Sequence, residues 1–228
     1  MARIEHEIDN IIYGIENLRF TSKNNSENEE KILNRGTGAG GKNTNKNGLT
    51  FEEKTSILPI LTEMGFEKVK IPNMSKIICY GKNISNTKFI YYASKKSFAN
   101  LLCYVFQMSG DNLYKQPDEG FIIIENNTVI VKIMEKKNQA VEGSVFEKFY
   151  TAVYVRDICY KKHLPDIAKV EYAYCVNNWL KQKFNIDLPK YNDLMKFYHD
   201  NNIQVFYGDD NNYFQNVVEW LTLTSGSR

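Results

Sequence analysis

Little in this sequence points to a membrane, a disulfide framework or a metal–thiolate site. No apolar run approaches the roughly 20 residues that a bilayer-spanning helix needs. The N-terminus, Met-Ala-Arg-Ile-Glu-His-Glu, carries acids where a signal peptide would carry its apolar stretch. No membrane partner is therefore expected, and a cytoplasmic location is. The four cysteines, Cys79, Cys103, Cys159 and Cys175, show no Cys-x-x-Cys spacing and sit in apolar runs, which reads as buried thiols in a reducing compartment. The three histidines, His6, His163 and His199, are scattered, against chemistry built on a histidine–metal motif. A surplus of charge is missing too. Lys+Arg of 29 against Asp+Glu of 27 leaves a formal +2, which neither requires nor excludes a polyanionic partner, because a basic channel can coexist with an acidic exterior.

What is present suits one globular domain over residues 1–228: 43% apolar and 25% charged residues in a chain long enough to bury a real core. Ile4, Ile8, Ile11, Ile12, Ile15 and Leu18 repeat at helical spacing and predict an amphipathic first helix. A second helix is expected from Thr50, with Thr50 and Glu53 as a capping box, Phe51, Leu58, Leu61 and Met64 on its apolar face, a kink at Pro59 and a stop at Gly65. Strands are predicted at 68–71, 76–80 and 88–93, then a helix over 97–108. Further helices are expected over 144–160, 165–184, 191–200 and 213–221, the last capped by Asp209 to Asn212, with a strand at 203–207 before it. This order predicts an α/β (α+β) fold, a central mixed sheet flanked by helices.

Residues 21–48 form a polar stretch rich in Gly, Asn and Lys, too long for a mere connector. Gly36-Thr-Gly38-Ala-Gly-Gly41 matches G-x-G-x-x-G, but no strand precedes it and turn residues follow, so no dinucleotide site is expected. Gly36 to Lys42 matches most of a P-loop, yet Asn43 stands where the Mg²⁺-binding hydroxyl belongs, and no nucleotide cofactor is expected. A flexible linker and a nucleic-acid contact both remain open. For the second, Arg35, Lys42 and Lys46 would meet phosphates while the Asn43 and Asn45 amides reach base edges.

The densest chemistry lies between Gln116 and Gln139. Pro117-Asp118-Glu119 leads into an apolar run at 121–124, a tight turn follows at Glu125-Asn126-Asn127, and a second run at 129–134 ends in Glu135-Lys136-Lys137-Asn138-Gln139. A hairpin of that size brings Asp118 near Glu135 and Lys137. Two carboxylates can hold a hard divalent cation, and a neighbouring lysine can orient water or stabilise charge on a phosphate.

The pattern Pro-Asp … Glu-x-Lys, with Arg35-Gly-Thr-Gly-Ala-Gly-Gly-x-Asn-Thr-Asn upstream and Val141-Glu-Gly-Ser-Val145 downstream, resembles the PD-(D/E)XK nucleases, and among them the type II restriction endonucleases. The resemblance is closest over residues 116–145 and extends more weakly to Trp220. It implies a restriction-endonuclease-like core and Mg²⁺-dependent, sequence-specific hydrolysis of double-stranded DNA, with Mn²⁺ able to substitute. A homodimer is implied where the site is a palindrome. Asp118 and Glu135 would hold the metal, joined by Glu52 from the first core helix, while Glu53 caps that helix. Lys137 would position the attacking water, and Gln139 would orient a phosphate or the DNA strand. Lys136, by strand alternation, faces the other way.

Overall fold

Strand alternation and a tight turn build the centre of the molecule. The computed structural model describes residues 11, 18–20, 49–74, 77–109, 115–126, 128–141 and 145–222. Strands β5 (Glu119–Glu125) and β6 (Thr128–Lys137) pair antiparallel from Glu119↔Met134 to Glu125↔Thr128. Asn126 takes φ +51°, the left-handed conformation that two-residue hairpin turns require and that Asn tolerates.

Among the described residues the sheet around this hairpin has eight strands in sequential order. β1 (Arg19–Phe20), β2 (Glu67–Lys70), β3 (Cys79–Ser85) and β4 (Lys88–Ala93) precede it, each antiparallel to its neighbour. β7 (Ala168–Val176) and β8 (Ile203–Tyr207) continue it in parallel. The sheet is therefore mixed and flanked by helices, as the sequence predicts.

Each face carries its own core. One is covered by α3 (Lys95–Val105), α4 (Val145–Phe149), α5 (Ala152–Tyr154) with the π-helical turn Val155–Tyr160, α6 (Asn178–Phe184) and α7 (Pro189–Asp200). Phe98, Phe149, Leu180 and Tyr198 pack there on Ile122, Val131, Ile133 and Tyr174. The other face is covered by α1 (49–54), α2 (Leu58–Glu63) and α8 (Tyr213–Thr222), where Phe51, Leu61, Val217 and Trp220 pack on Phe121, Ile123, Met134 and Cys175. Gly120 lets α3 close onto the hairpin, since a Cβ there would collide with the Phe98 ring.

Several expectations need correction. The segment 165–184 is not one helix: Ala168–Val176 is a strand between β6 and β8, and only Asn178–Phe184 is helical. A strand covered on both faces reads as a continuous apolar run, which periodicity does not separate from a helix. The helix expected over 144–160 is broken at Tyr150–Thr151 and finishes as a π turn. Pro59 does not kink a continuous helix; it opens α2 after a break at 55–57, where a proline has no N–H to leave unbonded. Thr50 already lies within α1, so the capping box with Glu53 does not open that helix. Gly65 does follow the end of α2, at φ +86°. Of the expected cap Asp209 to Asn212, the Asp210 and Asn212 carbonyls accept from the Tyr213 and Asn216 N–H groups at the start of α8, whereas the Asp209 carboxylate turns to the Asn178 N–H at 2.7 Å and to Lys54 Nζ at 2.7 Å. Of the first predicted helix only Ile11 and Leu18 are described, both buried.

Among the described residues no helix is long and apolar enough to cross a membrane. Cys79, Cys159 and Cys175 are buried free thiols and Cys103 is half-buried. Burial pushes Cys79 and Cys175 up to about 12, which leaves them unreactive near neutrality.

Candidate active site

The register of the hairpin assembles the site. Glu119 lies opposite Met134, and the next residue along each chain toward the open end is Asp118 on one side and Glu135 on the other. Side chains two apart on a strand share a face, which puts Glu135 and Lys137 on the same side as Asp118. The sequence pattern predicts that these three meet; in the structure Lys137 is bonded to Glu135, and the charges of both act on Asp118. Lys137 Nζ donates to Glu135 Oε1 at 2.7 Å, and the Lys136 backbone N–H donates to Asp118 Oδ2 at 2.7 Å.

Asp118 feels its neighbours. Burial raises its carboxyl to about 6, helped by the negative charges of Glu135 and Glu52 and opposed by the Lys136 N–H and by Lys137. Like charges held together in a partly dry setting are a place where a cation is stabilising. Among the described residues no three Asp, Glu, His or Cys side chains already form a ligand cluster. Two carboxylates nonetheless fit Mg²⁺, which commonly takes one or two from the protein and fills its octahedron with water and phosphate oxygens.

Glu52 reaches the site from α1. Its carboxylate holds Lys95 Nζ at 2.7 Å, and it lines an open pocket of about 210 Å³ with Glu53, Ser56, Lys95, Asp118 and Lys136. Lys95 adopts φ +49° where β4 turns into α3, and its N–H bonds to the Pro117 carbonyl at 2.8 Å, so the turn before Asp118 is tied to that helix start.

Gln139 is engaged elsewhere. Its side-chain amide donates to the Val141 carbonyl at 2.7 Å, and its carbonyl accepts from Asn177 Nδ2 at 2.9 Å. Asn177 in turn caps α6, so Gln139 anchors the exit of β6 to the exit of β7. Arg35, Lys42, Asn43, Asn45 and Lys46 lie outside the described residues.

Lys115 carries no signal in the sequence pattern. Its Nζ stands 3.2 Å from Glu135 Oε1, so two lysines share one carboxylate oxygen. The buried Tyr160, at the end of the π turn, holds the Lys115 carbonyl at 3.1 Å. That contact spans 45 residues and leaves no trace in local spacing.

Lys136 and Glu119, which also line the pocket that Glu52 and Asp118 share, pair on the opposite face of the strands. Their charged groups are 3.2 Å apart with side chains only 2% and 3% exposed. The Glu119 Oε1 also accepts from the Ile57 N–H and from the Tyr92 hydroxyl, each at 3.1 Å.

The chain matches no protein-family model, and comparisons with curated proteins and with solved structures likewise found no match.

Proposed function

We propose that this protein is a Mg²⁺-dependent, sequence-specific double-stranded DNA endonuclease of the PD-(D/E)XK type, acting as a type II restriction enzyme. One observation carries the reading: Asp118 and Glu135 lie at the open end of one hairpin, close enough for the Glu135 charge to act on Asp118, with Lys137 bonded to Glu135. The mixed sheet, with the acid-bearing hairpin at its centre and a parallel strand after a helical crossover, is compatible with a restriction-endonuclease-like core.

In this reading Asp118 and Glu135 supply the protein oxygens for the cation, with Glu52 near enough to share its water shell. Bound Mg²⁺ would acidify a water and neutralise charge growing on the phosphate. Mn²⁺ suits the same carboxylate oxygens and would substitute. Lys137, released from Glu135 as that carboxylate turns to the cation, would hold the attacking water in line with the scissile bond. Lys115, beside it, adds a second positive charge where a phosphate would approach. Arg35, Lys42 and Lys46 would contact phosphates and Asn43 and Asn45 base edges. A homodimer would present one such site to each strand of a palindrome.

Plasmid digestion with Mg²⁺, with Mn²⁺ and with EDTA tests the proposal. Discrete fragments with a common end sequence are expected in the first two and intact DNA in the third. Cleavage in EDTA would refute the metal dependence, and preference for branched over linear duplex would turn the reading to a structure-specific nuclease.

A further inference from the structure

We infer that the buried Lys136–Glu119 ion pair is a positioning element, a crosspiece behind the active site that fixes helix α1 against the two strand ends bearing Asp118 and Glu135; this rests on the nuclease reading above. Lys136 Nζ donates to the Glu52 carbonyl at 3.1 Å as well as pairing with Glu119 at 3.2 Å. The Glu119 Oε1 gathers the N–H of Ile57, between α1 and α2, and the hydroxyl of Tyr92 on β4. One buried lysine and one buried carboxylate thus join α1, the α1–α2 link, β4, β5 and β6.

The same two residues are bonded in sequence to the catalytic set. Glu119 follows Asp118, and Lys136 sits between Glu135 and Lys137. On the reactive face the Lys136 N–H holds Asp118; on the rear face the Lys136 side chain holds the backbone of Glu52. Shifting the rear contacts would therefore shift the acids in front. Stability alone gives little reason for such a pair, because a buried ion pair seldom outdoes apolar residues of the same volume, and Glu119 Oε2 is buried here with no hydrogen-bond partner among the described residues. Apolar side chains could not reach the Glu52 carbonyl and the Ile57 N–H with directed bonds. Supporting contacts of that kind hold a site's geometry to fractions of an ångström.

The test is the charge-free double variant Lys136→Met/Glu119→Gln, in which the new amide oxygen still accepts from Ile57 and Tyr92. Mg²⁺ binding is measured calorimetrically without DNA, thermal melting is recorded, and kcat and KM are determined on plasmid. A double variant that melts within a few degrees of the parent, binds Mg²⁺ about tenfold more weakly and loses kcat with KM nearly unchanged supports the inference. Parental Mg²⁺ affinity and kcat in the folded double variant overturn it while leaving the nuclease reading intact. A parent protein that neither binds Mg²⁺ nor cuts DNA overturns both. Should the double variant fail to fold, Glu119→Gln alone takes its place: weaker Mg²⁺ binding and lower kcat support the inference, and parental values of both overturn it.

Discussion

On one face of the hairpin's open end, Asp118 and Glu135 crowd two carboxylates together, and both nearby lysines, Lys115 and Lys137, gather on Glu135. On the other face, one step along each strand, Glu119 and Lys136 pair one to one and are closed from solvent. The residue types are the same and their neighbours in sequence are shared. The difference is charge balance and access. Among the described residues no lysine or arginine pairs with Asp118, which is left with a backbone N–H and an elevated proton affinity. In the proposed reading the front face takes up a cation, while on the rear face lysine and carboxylate pair with each other and position the acids in front.

The largest expected effect comes from breaking the front face. Asp118→Ala or Glu135→Ala should lower cleavage by about 10³-fold, the upper range for removing one electrostatic stabiliser from a preorganised site. Both should retain DNA binding, because a lost carboxylate also relieves repulsion against phosphates. Cleavage in Mg²⁺ followed over long incubation checks this, and activity near the parent's in either variant removes that residue from the assigned role.

Breaking the rear face should act on stability first. Lys136→Met leaves Glu119 charged, buried and short of its cation, a situation that costs about 3–5 kcal/mol. In a chain of this size that lowers Tm by on the order of 10 °C. The added change Glu119→Gln should recover most of the loss. Denaturant unfolding of the single and double variants measures it, and additive losses in the two would contradict the pairing.

The contrast between the faces is partly legible in the sequence. Alternation along 128–137 sets Lys136 against Glu135 and Lys137, and the apolar runs around Asn126 mark the hairpin. The partner of Lys136 across the chain is not legible: that Glu119 collects Ile57, Tyr92 and Lys136 depends on how α1 and β4 pack, which no local pattern encodes. Lys115 escapes for the same reason, since Tyr160 sets its position from far along the chain. In the fold, β7 reads as helix in sequence because Tyr172–Val176 is buried on both faces and shows no alternation. Gln139 belongs to the resembling motif but is bound to Val141 and Asn177 in the fold.

A smaller effect should appear in the pH dependence of stability. An acid raised from 3.8 to about 6 binds its proton more tightly when folded. Its ionisation therefore destabilises the fold as pH rises through that window, with no penalty below about pH 4 and the full penalty above about 6. Asp118→Asn removes the charge and keeps an oxygen for the Lys136 N–H. In EDTA it should be more stable than the parent by about 1–3 kcal/mol at pH 8 and nearly equal to it at pH 4. Urea unfolding at both values reads the difference. A gap that does not widen with pH would mean that Asp118 is strained neither by burial nor by its carboxylate neighbours.

The smallest effect sharpens the comparison from a third position. Lys95 and Glu52 are as close as any pair in the site, at 2.7 Å, but their side chains are 43% and 31% exposed. Water screens such a pair and the long lysine gives up rotamer freedom to make it, so exposed pairs contribute about 0–1 kcal/mol. Lys95→Met should change unfolding free energy by less than about 1 kcal/mol, several times less than Lys136→Met, although both remove a lysine bonded to Glu52. The difference between the two variants should narrow little in high salt, because the buried pair is poorly screened. Equal losses for Lys95→Met and Lys136→Met would show that burial does not separate the two lysines, and the rear face would lose its claim to be a closed structural pair.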